Sequence, residues 1–382
     1  MSFQLDLNSV KIVDSLNELS IYHYLDCDVN TDSETKKYRG VVMNNEGKTI
    51  CRSFGFTPEI DETDNELMTS VVEPFLKEQV RVLEAYEGTL LRVFFYQPQG
   101  KWYISTCRKL DAFKSKWGSN KSFGELFEEL IETPFEDFCK NTLDETKVYC
   151  YVIRTYNKNR IVCSGYEKPE LFLVGTYDNG DFDKFNFEKC NVPLVQDINT
   201  MDDLKAHMEK IDPSKLQGVI LMNEKGECVK VMKHEYVEAF KLRGNQPNIL
   251  LRYIELQQEG NPSKVETFFN MYPEQKEHIV AFTDVIDDIC YYVFRKYRNR
   301  FIRKQVSIVP SDLYYVIREL HEGYLKDRTN IVTPERVSSY ILGLEPTRLL
   351  GLYNSYMKRK EENGNGFKIS EEFMTKVKSM IV

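Results

Sequence analysis

The repeat of apolar residues changes partway along the chain, and that change limits the fold more than any other feature. Up to Tyr253 apolar residues come in short runs, at 40–43, 90–96, 102–106, 149–153, 160–163, 171–176 and 218–222, the mark of buried or half-buried strands. Turn signals stand between them: Asn44-Asn45-Glu46-Gly47, Gln97-Pro98-Gln99-Gly100, Asp178-Asn179-Gly180 and Asn223-Glu224-Lys225-Gly226. Each falls where one strand returns antiparallel as the next. Helices are expected at 67–77, 122–131, 134–141 and 201–210, the last capped by Asn199 or Thr200.

After Gly260 the spacing becomes helical. Ile279, Phe282, Ile286, Ile289, Val293 and Tyr297 place one apolar stripe along 273–306. Ser311, Thr333-Pro334 and Pro346-Thr347 read as further helix starts, and Asn363-Gly364-Asn365-Gly366 precedes a last one from Ser370. A chain of 382 residues that changes character in this way is expected to form two domains, 1–255 and 256–382.

Composition narrows the class. With 42% apolar residues, 23 Tyr and 23 Phe, the chain can bury a sizeable core. No stretch reaches the roughly 18 consecutive apolar residues of a membrane span, and the first 15 residues lack a positive leader followed by an apolar block. Nine cysteines without CxxC spacing fit a reducing compartment and buried free thiols, with no metal site. A soluble, intracellular protein without a membrane partner is expected. Its five histidines are dispersed, and no Walker loop, GxSxG elbow or GxGxxG run appears.

Three stretches in order carry a resemblance: Tyr38-Arg39-Gly40-Val41-Val42, then Glu84-Ala85-Tyr86-Glu87-Gly88-Thr89-Leu90, then Gln217-Gly218-Val219-Ile220 followed by Val229-Lys230-Val231-Met232-Lys233. Across about residues 20–245 this order resembles the phage-type RNA ligases of the covalent nucleotidyltransferase superfamily. Asn159-Arg160-Ile161-Val162 is similar to a recurrent run in those ligases, and 102–127 is similar to RNA-ligase-like proteins of large DNA viruses. The resemblance implies an α+β fold: an antiparallel-sheet, ATP-grasp-like nucleotidyltransferase domain followed by an all-helical C-terminal domain. It also implies a viral source, with host cytoplasm, viral factory or virion as the location.

Such ligases need a lysine amine that attacks the α-phosphate of ATP and holds AMP as a phosphoramidate. The family places that lysine three residues before a glycine, so Gly88 puts the position at Ala85, while Glu87 keeps a carboxylate where the family has aspartate. The ribose-binding acid, six residues before Asn159, falls on Ile153. The metal-placing acid before Gly218 is Gln217, whose neutral carbonyl neutralises Mg²⁺ poorly. Of two phosphate-binding lysines, Lys230 is kept and the second is Met232. Lys233, one residue on, points to the opposite face in a strand. Arg39 stands where the family carries an arginine. Four losses at independent chemical roles imply a pseudoenzyme with no cofactor and a remnant pocket of Arg39, Glu87, Gly88, Arg160, Lys230 and Lys233. Taken singly, these glycines also read as turn or strand-end residues and these cations as solvated charges.

A net charge of −8 excludes indiscriminate nucleic-acid binding over the whole surface, yet a local basic stripe survives. Arg295, Lys296, Arg298, Arg300, Arg303 and Lys304 follow within ten residues without an acid. On a helix Arg295, Lys296, Arg298 and Arg303 lie opposite Val293, Phe294, Tyr297 and Phe301. Arg108, Lys109, Lys114, Lys116 and Lys121 surround Phe113 and Trp117, either a single-strand track or a packed loop. The expected partner is single-stranded or structured nucleic acid, or another protein. The alternatives are a residual RNA ligase acting on pre-adenylylated ends, and a structural virion component without a nucleic-acid role.

Overall fold

The computed structural model describes residues 9–155, 160–164, 168–306 and 308–362. Residues 1–8, Asn159, Asn363-Gly364-Asn365-Gly366 and the helix expected from Ser370 lie outside the described residues. The chain divides into two compact units after Pro247, ahead of the division expected after residue 255.

Among its described residues the first unit holds three sheets. One runs in the order β1 (Val10–Leu16), β2 (Leu19–Tyr24), β3 (Arg39–Asn44), β4 (Thr49–Cys51). In chain order β5 (Glu59–Asp61), β6 (Val80–Ala85), β7 (Thr89–Tyr96), β8 (Lys101–Ser105), β9 (Lys147–Arg154), β10 (Glu170–Asp178), β11 (Asp181–Asn186), β12 (Leu194–Val195), β13 (Gly218–Asn223) and β14 (Cys228–Met232) build the other two. Their orders are β11-β10-β9-β7-β8 and β12-β6-β13-β14-β5. All four turn signals close antiparallel pairs: β3–β4, β7–β8, β10–β11 and β13–β14. The expected wholly antiparallel arrangement needs one correction, because β5 joins β14 in parallel.

Alternation along the strands fixes which core each face enters. In β7, Leu91, Val93 and Phe95 pack with the helices Phe123–Ile131 and Phe135–Thr142, while Phe94 and Tyr96 face a second core shared by all three sheets. Val219, Leu221, Val229 and Val231 pack on Met68, Val72, Leu204 and Met208 of the helical stretches 65–76 and 201–208. The expected helices start where their caps predict: Ser122 and Thr200 each form a reciprocal capping box with the acid three residues on.

Two sequence expectations are overturned here. The run 160–163 is not a strand but a loop held by a buried carboxylate described below. The strand-like pattern also ends before Tyr253, because His234–Arg243 and Ile249–Gln258 are helices. Ile249-Leu250-Leu251-Arg252-Tyr253-Ile254 is short and apolar enough to suit either structure. The Asn248 side chain, accepting the Leu251 N–H at 3.0 Å, starts it as a helix.

The second unit is helical throughout its described residues. It comprises Ile249–Gln258, Pro262–Met271, Lys276–Tyr297, Ser311–Lys326, Pro334–Leu342 and Pro346–Glu362. Lys276–Tyr297 is its centre, burying Ile279, Phe282, Ile286, Ile289, Val293 and Tyr297 as one stripe and continuing as a π-turn over Arg298–Ile302. The chain is thus mixed α+β with a helical C-terminal region. No helix among the described residues is long and apolar enough to cross a membrane.

Candidate functional site

A cleft of about 340 Å³ opens on the face of the β12-β6-β13-β14-β5 sheet turned away from Val219 and Val231. Pairing builds its floor in rows. Ala85, Gly218 and Met232 lie side by side in one row, and Leu83, Ile220, Lys230 and Glu59 form the next. Ala85 is fully buried, and Met232, across Gly218 from it, is also apolar and buried. The row closes this tightly because residue 218 is glycine. At φ +149° a Cβ there would stand 1.9 Å from the Val231 carbonyl oxygen.

Two cations line the cleft. Lys230 is mostly covered, and its ammonium lies 3.1 Å from the Glu59 carboxylate, its cross-strand neighbour. Arg39 donates to Thr57 Oγ1 at 3.3 Å and to the Gly55 carbonyl at 3.5 Å, and has no carboxylate partner among the described residues. The remaining wall is largely apolar: Phe54, Leu90, Val152, Val174, Met222 and Phe240. Tyr86 also lines it, stacked on Phe172 at 4.4 Å, with the Arg154 guanidinium 4.7 Å from its ring.

Of the sequence-derived positions, Arg39, Gly88, Gln217, Lys230 and Met232 line this cleft and Ala85 is buried in the sheet row beneath it, whereas Ile153, Glu87, Arg160 and Lys233 do not line it. Ile153 is buried in the core with Phe123, Leu126 and Phe127 of the helix Phe123–Ile131. Lys233 leaves the strand on the other side, its ammonium 3.1 Å from Glu62 and 3.6 Å from Glu235, which corrects its inclusion in a remnant pocket. Arg160 is buried and donates to the Val162 carbonyl at 3.4 Å.

Glu87 has the most defined role. Its buried carboxylate accepts the consecutive backbone N–H groups of Ile161, Val162 (2.7 Å) and Cys163 (3.1 Å), and the Tyr236 hydroxyl at 3.0 Å. Gln217 Nε2 in turn donates to that hydroxyl at 2.7 Å. Burial, then the neighbouring Glu87 charge, raises the Tyr236 phenol far above its ordinary value, so it stays a donor. The carboxylate at the motif position therefore anchors the 160s loop and does not face the cleft. The sequence reading misses Tyr236 and Glu59. The first lies in a helix read as strand-like, and the second arrives through the parallel pairing, for which no local signal exists.

Three of the cations around Phe113 and Trp117 are paired with carboxylates, and Arg108 is exposed. Lys109 pairs with Asp14 at 3.3 Å, Lys114 with Asp111 at 3.4 Å, and Lys121 with Glu129. Lys116 is exposed, and both aromatic rings pack against the core that includes Phe123, Phe127 and Phe135. At the other cluster Arg295, Arg298, Arg300, Arg303 and Lys304 are exposed and Lys296 is half-buried. Among the described residues no group of three His, Cys, Asp or Glu side chains is placed to hold a metal ion.

No family model matches the chain. Its sequence relatives are iridovirus proteins. It is 25% identical over 331 residues to an immediate-early protein ICP-46 homolog of Invertebrate iridescent virus 3, covering 84% of this chain and 73% of that protein. The corresponding protein of Invertebrate iridescent virus 6 is 27% identical over 325 residues, covering 77% and 69%. Solved structures of ATP-dependent ligases also match. A putative DNA ligase from Aquifex aeolicus has a TM-score of 0.39 at 12% identity, covering 84% of this chain and 78% of its own. An archaeal RNA ligase has a TM-score of 0.40 at 11% identity, covering 71% and 68%.

Proposed function

We propose that this chain is a nucleotidyltransferase-like protein without covalent chemistry, acting by binding nucleic acid or a protein partner. Covalent transfer requires an amine that forms a bond to the α-phosphate while the bond to pyrophosphate breaks and the amine gives up a proton. The observation that carries this reading is the floor row Ala85–Gly218–Met232, apolar along its whole length at the positions where the resemblance calls for two lysines. The one lysine lining the cleft, Lys230, is already paired with Glu59, and a charged ammonium in an ion pair is no nucleophile.

Incubation of the full chain with α-³²P-labelled ATP or GTP and Mg²⁺ or Mn²⁺ is expected to leave no labelled protein band. An acid-labile adduct that disappears in Lys230→Met would overturn the proposal. Arg39 and Lys230 keep two cations in the cleft, which favours as second reading a ligase acting on pre-adenylylated ends. Joining of a 5′-adenylated oligonucleotide by the wild type, lost in Lys230→Met, would establish that reading instead.

A further inference from the structure

We propose that the end of the central helix of the second unit, Arg295 to Lys304, is a docking surface for a nucleic-acid phosphate backbone. The inference names the partner for the binding role proposed above. Elsewhere in the same unit arginines find carboxylates: Arg318 with Glu322 at 2.8 Å, Arg348 with Glu319 at 2.6 Å, and Arg359 with Asp312 at 3.0 Å. These pairs occupy the acids of the following helix, Ser311–Lys326, that stand nearest in sequence. Among the described residues, none of the six cations between 295 and 304 has a carboxylate within ion-pair reach.

A helix C-terminus favours cations, but its dipole amounts to only about half an elementary charge. It cannot balance six. What holds the cluster is neutral: Arg298 lies 5.7 Å from the Phe294 ring, Arg300 lies 5.0 Å from Tyr314, and Lys296 donates to the Ile308 carbonyl at 3.1 Å. Such contacts fix the side chains while leaving their charge uncompensated.

The cations extend over a length on the order of 15 Å, too long for one small anion and suited to a row of phosphates. Four of the six are arginines, whose planar forks match phosphate oxygens in pairs. An anionic bilayer is the competing partner, since Ile302 and Val306 are exposed nearby. A helix lying in a bilayer surface presents a broad apolar face to lipid. The apolar stripe of Lys276–Tyr297 is buried in its own core, and nucleic acid is therefore the better fit.

The test uses the full chain and fluorescein-labelled oligonucleotides of about 20 nucleotides, as single-stranded RNA, duplex RNA and duplex DNA, with binding followed by anisotropy from 50 to 200 mM KCl. If about five phosphates are contacted, log affinity for the single strand should fall with log salt at a slope of about −3.5. The variant R298Q/R300Q/R303Q should lose tenfold or more in affinity and about two units of slope. R298K/R300K/R303K should keep the slope, and the paired-site control R318Q should bind as wild type. Binding that lacks salt dependence, or that survives the glutamine variant, overturns the proposal. So does loss of phosphatidylserine-vesicle binding in that variant when no oligonucleotide binds. The two proposals fail separately: a labelled adduct would overturn the reading of the cleft alone, and absent nucleic-acid binding would overturn this one alone.

Discussion

That Glu87 stands beside Gly88 is legible in the sequence, but only the structure reveals what its carboxylate does. Its partners lie more than 70 positions away, at Ile161 to Cys163 and at Tyr236, and no local pattern announces a contact of that range. A carboxylate buried on three backbone amides is stabilising as long as every partner remains, and each hydrogen bond to a charged group is worth about 1.5–3 kcal/mol. Tyr236→Phe removes one donor from Glu87 and strips Gln217 Nε2 of its acceptor, so a loss of about 1.5–3 kcal/mol in urea unfolding is expected. Glu87→Ala leaves three amides and a phenol without their acceptor and should cost about 3–5 kcal/mol. Because both changes delete the same bond, the double variant should lose less than the sum of the two. Full additivity would mean that the Tyr236–Glu87 bond contributes nothing.

Among the elements, hairpins were the most legible part of the chain. Turn residues force the strands back on themselves, and the alternation 91/93/95 against 94/96 in β7 sorts side chains between two cores. The helices at 234–243 and 249–258 were less legible, because the burial that selects helix over strand comes from elsewhere in the fold. Gly218 belongs to the legible class by type but not by consequence. It begins β13 at φ +149°, between Ala85 and Met232, with the Val231 carbonyl where a Cβ would go. Gly218→Ala should cost about 3 kcal/mol or more, since the β14 backbone at Val231 and Met232 must move. Gly47, at φ +76° in the β3–β4 turn, has open space around it. Gly47→Ala should then carry only the left-handed backbone penalty of about 1–2 kcal/mol. Equal losses in thermal or urea unfolding would contradict the account of the close-packed floor.

At the scale of the whole chain, charge and thiols are distributed in ways that the sequence states and the fold explains. The acidic excess behind the net charge of −8 lies in residues 1–247, so the cationic helix end belongs to a unit close to neutral. All nine cysteines are free. Cys51, Cys139, Cys150, Cys163 and Cys228 are buried in the first unit, Cys290 is buried in the second, and Cys27, Cys107 and Cys190 are partly open. Burial raises the Cys51 thiol to about 11 and the Cys228 and Cys290 thiols to about 12, and a protonated, covered thiol reacts slowly. In native buffer a thiol reagent should therefore modify up to three cysteines per chain quickly and leave six untouched until denaturant is added. Each unit has its own core, so Cys290 reports the opening of the helical one while Cys51, Cys150 and Cys228 report the sheets. Compact units with separate cores need not unfold together. Peptide-resolved labelling across a urea series is expected to give Cys290 a midpoint different from the common midpoint of Cys51, Cys150 and Cys228. A single midpoint for all six would mean that the chain unfolds as one cooperative body, and the two-unit division would then describe its geometry but not its energetics.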